Sequence, residues 1–405
     1  MAVTGKKRSQ KRPINPGVIT VLSKINPEPI DYLLILRGIA IIGVLLGHAF
    51  GIGEYSLGTF ISQSTVGVFI HGNQHKNSIL DALFVLTPLL GTNFVILFFV
   101  QSGYLMGKVF HDARYDVSWH GIAAFYKNRY YRLAPLLYFN LAICIGLYGA
   151  SVLSLKTLLG DLFFVNNFTG RSINLVTWSL SHEMQYYLVA PFVFWAFGHR
   201  RFGLPLCLVA LAAAWWLTST WRYGEYFQYV YAFLAGYAVN LAIQRRSFQV
   251  NEGLKLTALF IGALVIHLLY NWLELNGQRT YAQLIVVIAS IATIYLVECP
   301  SEDTLGSRYS LYRHAARLMM LTGAISYSLY LWHYPIIMSR AGQFAIWTEI
   351  IAERIGIITH WHKVILFHSI QLGFILPLAY AISIATFTLL ERKFRPNLYK
   401  SVVGN

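Results

Sequence analysis

Charge is scarce in this chain, and acidic charge scarcest of all: charged residues make up 12% of 405, with 17 Asp+Glu against 32 Lys+Arg. Soluble domains carry about a quarter charged residues. A chain this poor in charge, 56% hydrophobic and with a mean hydropathy of +0.52, is excluded from that class and reads as an integral membrane protein. Cysteine is also rare. Cys144, Cys207 and Cys299 lie in or at the edge of apolar runs without CxxC spacing, which argues against a disulfide framework or a zinc site. No G-x-S-x-G, P-loop, dinucleotide fingerprint or H-E-x-x-H occurs, so any chemistry has to be assembled from the spans, and no metal is expected. The first 30 residues are polar and basic and lack the apolar core and cleavage site of a removable signal peptide, so the first span acts as its own insertion signal. A net charge of +15 would suit nucleic acid, but the basic residues sit between apolar stretches, and no nucleic-acid partner is expected.

A membrane helix needs about 20 mainly apolar residues. Ten stretches qualify: 31–52, 88–107, 133–150, 183–198, 203–218, 226–243, 255–271, 281–297, 322–339 and 364–390. They predict an all-α polytopic membrane protein of about ten transmembrane helices, with the apolar stretch 79–90 as a separate half-helix. With Arg37 set aside, because it lies inside a span, 23 Lys+Arg fall in the loops and tails on the N-terminal side and 8 on the other. Cytoplasmic loops hold the excess of basic residues, so both termini are expected in the cytoplasm. The predicted organisation is a basic cytoplasmic tail over 1–30 that contacts lipid headgroups, a transmembrane domain over 31–395, and a short cytoplasmic tail over 396–405.

Ionisable groups inside a span are costly and mark functional sites by default. Arg37 and His48 share the first span, 11 residues apart. That is close to three helical turns, so both lie on one face about 16 Å apart along the axis. Glu183, in TWSLSHEMQYYL, enters its span from the side where His48 lies and is expected at the same depth. A carboxylate on one imidazole nitrogen would fix the tautomer and make His48 a general base. Arg129 and Arg132 in FYKNRYYRLAP stand at i and i+3, a spacing that suits a phosphate or pyrophosphate, since each guanidinium forks onto two oxygens. Further along, GAISYSLYLWHYPII places Ser326 and Tyr330 on one helix face, with Tyr327 and His333 read as displaced from it. Tyrosines inside a span need hydrogen-bond partners, which argues for a wet or ligand-filled interior.

Taken together, Arg37 and His48, FFVQSGYLMG, Arg129 and Arg132 with Pro135, Trp178 through Tyr187, SYSLYLWHYP and Glu391-Arg392 resemble, in order, the motifs of acyltransferase family 3. These are membrane acyltransferases that decorate envelope glycans and other acceptors. The resemblance spans about 31 to 395, without a following SGNH-type esterase domain. It implies acyl-CoA, typically acetyl-CoA, as the cytoplasmic donor and a hydroxyl as acceptor. It also implies His48 as the catalytic histidine, Glu183 as a retained acid, and Arg37, Arg129 and Arg132 as the groups holding the CoA. Tyr187, Tyr327, His333 and Trp178 are then the expected substrate contacts. The partners are the bilayer, acyl-CoA and a glycan such as O-antigen or exopolysaccharide, and the location is a bacterial inner membrane. A small-molecule glycoside acceptor and a transporter of an anionic metabolite are the alternative readings, because buried Arg, His and Glu also line permeation paths.

Overall fold

The computed structural model describes residues 30–51, 90–149, 153–198, 200–220, 227, 229–245, 248–275, 277–300, 310–357 and 360–392. Most of the two expected tails and the stretch 79–89 lie outside the described residues. Within them the chain forms helices joined by turns, with no β-strand. In chain order these are α1 (Tyr32–Gly51), α2 (Leu90–His111), α3 (Trp119–Tyr148), α4 (Leu155–Leu162), α5 (Asn166–Thr169), a 3-10 turn (Leu175–Thr177) and α6 (Trp178–Phe197). There follow α7 (Gly203–Thr220), α8 (Val230–Arg245), α9 (Glu252–Leu275), α10 (Arg279–Glu298), α11 (Ser310–Ala324), α12 (Ser326–Ile355) and α13 (His360–Thr386), which runs on into a π-helical turn, Phe387–Glu391.

The ten apolar stretches fall on α1, α2, α3, α6 to α10, α12 and α13. Seven helices among the described residues are long and apolar enough to cross a membrane: α1, α2, α3, α7, α9, α10 and α13. The chain is an all-α polytopic membrane protein. The other three, α6, α8 and α12, are shorter or richer in polar side chains, and much of their length is covered by neighbouring helices. Every residue of α8 from Tyr231 to Leu241 is buried, so it is sheathed by protein rather than lipid. The centre of the bundle is built on α1 and α2, whose apolar windows are 67% and 72% buried, against 11% for α7 at the periphery.

Close approach at the centre depends on glycine. A Cβ on Gly103 of α2 would collide with the backbone of Phe233 in α8, and one on Gly236 of α8 with the backbone of Val100 in α2. The two helices therefore touch backbone to backbone, as small residues permit inside membranes, where van der Waals packing drives association. Gly38 of α1 and Gly323 of α11 form a second such pair. Residues 310–321, expected as loop, are thereby part of a helix, Ser310–Ala324, packed along α1. Its buried Ala316, Met320 and Ala324 recur at i, i+4 and i+8, an amphipathic stripe too narrow to register as a span.

Candidate active site

The site grows from two helices running side by side in the same direction. Arg37 of α1 donates from Nε and Nη2 to the Ser326 Oγ of α12, at 3.3 and 3.2 Å. Toward the other end, His48 Nδ1 lies 3.2 Å from His333 Nε2. Ser326 and His333 are seven residues apart, about 10 Å of rise, against about 16 Å between Arg37 and His48. The extended arginine side chain takes up the difference. His333, read from the sequence as off the Ser326 face, in fact returns to it, because seven residues make two turns with only about 20° of offset. Both imidazoles are tied to their own helix: His48 Nδ1 to Val44 O and His333 Nδ1 to Leu329 O, each at 3.0 Å.

Beside the Arg37–Ser326 rung opens a pocket of about 450 Å³ of atom-free space, open solvent at its mouth included. Arg37, Ser102, Glu183, Ser326 and Tyr330 supply its polar lining and Phe98 and Leu180 part of its apolar wall. Tyr330 closes the end toward the histidines, donating to Val176 O and accepting from Ser179 Oγ, both at 2.7 Å. Its ring centroid is 5.8 Å from that of His333.

Glu183 is not brought to His48. Its Oε1 accepts from Ser102 Oγ at 3.2 Å and from the Tyr187 hydroxyl, and it lines the pocket with Arg37. The cause is where α6 begins. Asp161 of α4 accepts from Asn166 Nδ2 (2.8 Å), Thr177 Oγ1 (2.9 Å) and Ile173 N (2.7 Å). Asn174 Nδ2 donates to Asn140 Oδ1 and Leu331 O, at 2.8 and 3.0 Å. This network folds 155–177 into the bundle, so α6 starts at the level of Tyr330 and runs opposite to α12. One turn on, Glu183 stands level with Ser326 rather than with His333.

Arginines gather around that carboxylate. Arg129 is 9% exposed, its guanidinium 5.2 Å from the Phe125 centroid and 5.4 Å from that of Tyr187, within cation–π range. Arg37 packs over Phe98 at 5.6 Å, with Arg132 and Glu183 in electrostatic range. The Nε atoms of Arg129 and Arg132 are buried without a hydrogen-bond partner. Among the described residues none of the three arginines forms an ion pair with a carboxylate. Three guanidiniums thus converge where Glu183, with Glu391 also in electrostatic range of Arg37, supplies the negative charge, an arrangement that favours an anion with several oxygens.

The remaining expected residues divide by surroundings. Tyr327 lines the pocket and donates to Leu133 O at 2.6 Å. Trp178 sits beside the pocket, packed on Tyr229, His182 and Phe99 with centroids 5.5, 5.7 and 6.3 Å away. Among the described residues no group of three or more His, Cys, Asp or Glu side chains is arranged to hold a metal ion. Two polar groups that the motifs contain were given no role from the sequence: Ser102, which holds Glu183, and Glu391, 3% exposed, which accepts from Ser328 Oγ. Ser102 follows Gln101 in a mainly apolar run and Glu391 closes one, so the cost of burying polar groups could have flagged both. Glu391 lies in the π-helical turn, and such turns often occur at functional sites. Gln101 donates from Nε2 to Leu33 O at 2.8 Å, pinning α2 to the first turn of α1.

Searches of curated proteins and of solved structures returned no match. The family described as "Acyltransferase domain" matches residues 30–390, nearly the whole chain. The chain, with its arginine-lined pocket and paired histidines set in a helical bundle, belongs to that family of membrane acyltransferases.

Proposed function

We propose that the protein is a membrane O-acyltransferase that moves an acyl group, typically acetyl, from cytoplasmic acyl-CoA to a hydroxyl of a cell-envelope glycan. The observation that carries this reading is the convergence of Arg37, Arg129 and Arg132, two of them with orphaned Nε atoms, at one end of a helix pair whose other end carries the two histidines. The α1 backbone rises about 16 Å from Arg37 to His48, and the reach of Arg37 to Ser326 shortens this toward about 10 Å between the side chains, a gap that part of a pantetheine arm spans. Phosphates of the donor rest on the arginines, with Phe98 and Leu180 along the arm, and the thioester is presented toward the histidines past Tyr330. Family membership supports group transfer over transport.

His48 acts as general base. Its Nε2 takes the proton as the acceptor oxygen attacks the thioester carbonyl. The C–S bond then breaks, and the thiolate of CoA leaves with the proton returned by His48. A hydroxyl near the thioester is the oxyanion donor in this scheme, and Tyr330 fills that role once its proton turns from Val176 O. Glu183 serves the donor end, holding Tyr187 beneath Arg129 and balancing part of the arginine charge. Tyr187, Tyr327, His333 and Trp178 are proposed around the substrates, the aromatic rings offering faces on which a sugar stacks.

The test is radiolabelled acetyl-CoA given to inside-out vesicles bearing the full chain, with envelope glycan as acceptor. Label bound covalently to glycan supports the reading, whereas label that enters the lumen unattached would turn it toward transport. Incubation with donor alone separates direct transfer from an acyl-histidine route, since only the latter leaves label on the protein. Mass spectrometry of envelope glycans with and without the gene identifies the acceptor by a lost acyl mass.

A further inference from the structure

The geometry assigns His333 a role beyond substrate contact: we propose that it is the positioning residue that fixes the tautomer of His48 and, as a hydrogen-bond acceptor, steadies its protonated form. The assignment rests on the acyl-transfer reading above and deepens it.

Carbonyl oxygens only accept, so the contacts of the two Nδ1 atoms with Val44 O and Leu329 O place a proton on each Nδ1. Neutral His333 then carries its lone pair on Nε2, the atom 3.2 Å from His48 Nδ1. His48 Nδ1–H is shared between Val44 O and that lone pair, and its own lone pair falls on Nε2. Among the described residues no hydrogen bond engages His48 Nε2, which leaves it available to a hydroxyl. When His48 Nε2 takes a proton, its Nδ1–H becomes a charge-assisted donor to His333. The proton stays on His48, because the fully buried His333 ring has no carboxylate beside it, among the described residues, to balance a charge, and His333 Nε2 acts as acceptor throughout. Return of the Nε2 proton to the leaving thiolate restores neutral His48.

The setting supports such an arrangement. His333 is fully buried, with Tyr330 on one side, its centroid at 5.8 Å, and Tyr334 edge-on to His48 at 5.5 Å. Among the described residues no carboxylate is hydrogen-bonded or ion-paired to either ring, so the orienting function that an acid serves in many His-based sites falls to a second imidazole. The helices supply the register. Ser326 and His333 are held on the α1-facing side of α12 by a seam on its other side, in which Trp332 Nε1 donates to Thr386 Oγ1 and Thr386 Oγ1 to Ser328 Oγ, both at 3.3 Å.

The test uses the full-length protein in vesicles and compares His333→Phe, which keeps a ring without a lone pair, with His333→Gln, whose carbonyl oxygen reaches the place of Nε2. Acyl transfer and acetyl-CoA binding are measured on both, beside wild type and His48→Ala. His333→Phe is expected to lower kcat about 100-fold while the donor KM stays within about twofold, and His333→Gln to recover about a tenth or more of the wild-type rate. Wild-type kcat in His333→Phe, with His48→Ala inactive, overturns the assignment while leaving the acyl-transfer reading intact. Equal loss of donor binding in both variants also overturns it, because His333 would then serve packing alone. A wild-type chain that transfers nothing to any acceptor defeats the acyl-transfer reading and this assignment with it.

Discussion

Arg129 offers the sharpest quantitative test of the donor site. It is held between the Phe125 and Tyr187 rings, 9% exposed, with its Nε unpartnered and no carboxylate ion pair among the described residues. In the absence of donor this is a buried cation supported by two aromatic faces, and such contacts contribute about 0.5–2 kcal/mol each. An unpaired buried charge also costs several kcal/mol of desolvation, so Arg129→Leu should leave the melting temperature unchanged or slightly raised. With donor bound, one forked guanidinium–phosphate contact contributes about 2–3 kcal/mol, and its loss should weaken acetyl-CoA binding by a factor of about 30–150. Arg129→Lys keeps the charge and loses the fork, and should fall between the two, near about tenfold. Equilibrium binding of labelled acetyl-CoA and thermal unfolding, both on purified protein in the same detergent, give the two readouts. An Arg129→Leu protein that binds donor within twofold of wild type would refute the assignment. A fall in melting temperature in step with the loss of affinity would refute the argument that the charge is uncompensated.

His48→Ala is expected to abolish acyl transfer while acetyl-CoA binding stays near wild type, measured on the same vesicles. Arg37→Ala should reverse that pattern, losing donor affinity first, because its guanidinium reaches Ser326 and the pocket rather than the histidines. Gly236→Leu forces a side chain into the backbone of Val100 and should cost about 1–3 kcal/mol or more, read as a lower melting temperature and less monodisperse protein on size exclusion. Asp161→Asn turns one of its oxygens into a donor against Ile173 N or the Asn166 amide. It is expected to destabilise the 155–177 segment by about 1–3 kcal/mol, seen as faster amide hydrogen exchange at Ile173, with transfer lowered through misplacement of Glu183.

The sequence conveys helical content well and depth poorly. Arg37 and His48 could be placed on one face of one helix because both belong to a single uninterrupted span, where periodicity alone fixes geometry. Glu183 could not, because the entry point of α6 is set by Asp161 and Asn174 bonding across the bundle, and a hydropathy window does not contain those contacts. The approach of His333 to His48 likewise depends on α1 and α12 packing side by side, a relation between residues 285 apart. The helix Ser310–Ala324 escaped because its apolar residues form a stripe rather than a run, and its cover is the backbone of α1. Ser102 and Glu391 were legible in principle, each a polar residue at or inside a span, but their partners Glu183 and Ser328 emerge only from tertiary packing.

The two rungs between α1 and α12 make the length of helix between them a mechanical gauge. One residue added between Arg37 and His48 would lift the imidazole by about 1.5 Å and swing it by about 100°, parting it from His333. Point substitutions in that stretch can be absorbed by repacking, whereas insertions and deletions cannot. The interval from arginine to histidine is therefore set by the helix itself, and no rotamer change can lengthen it.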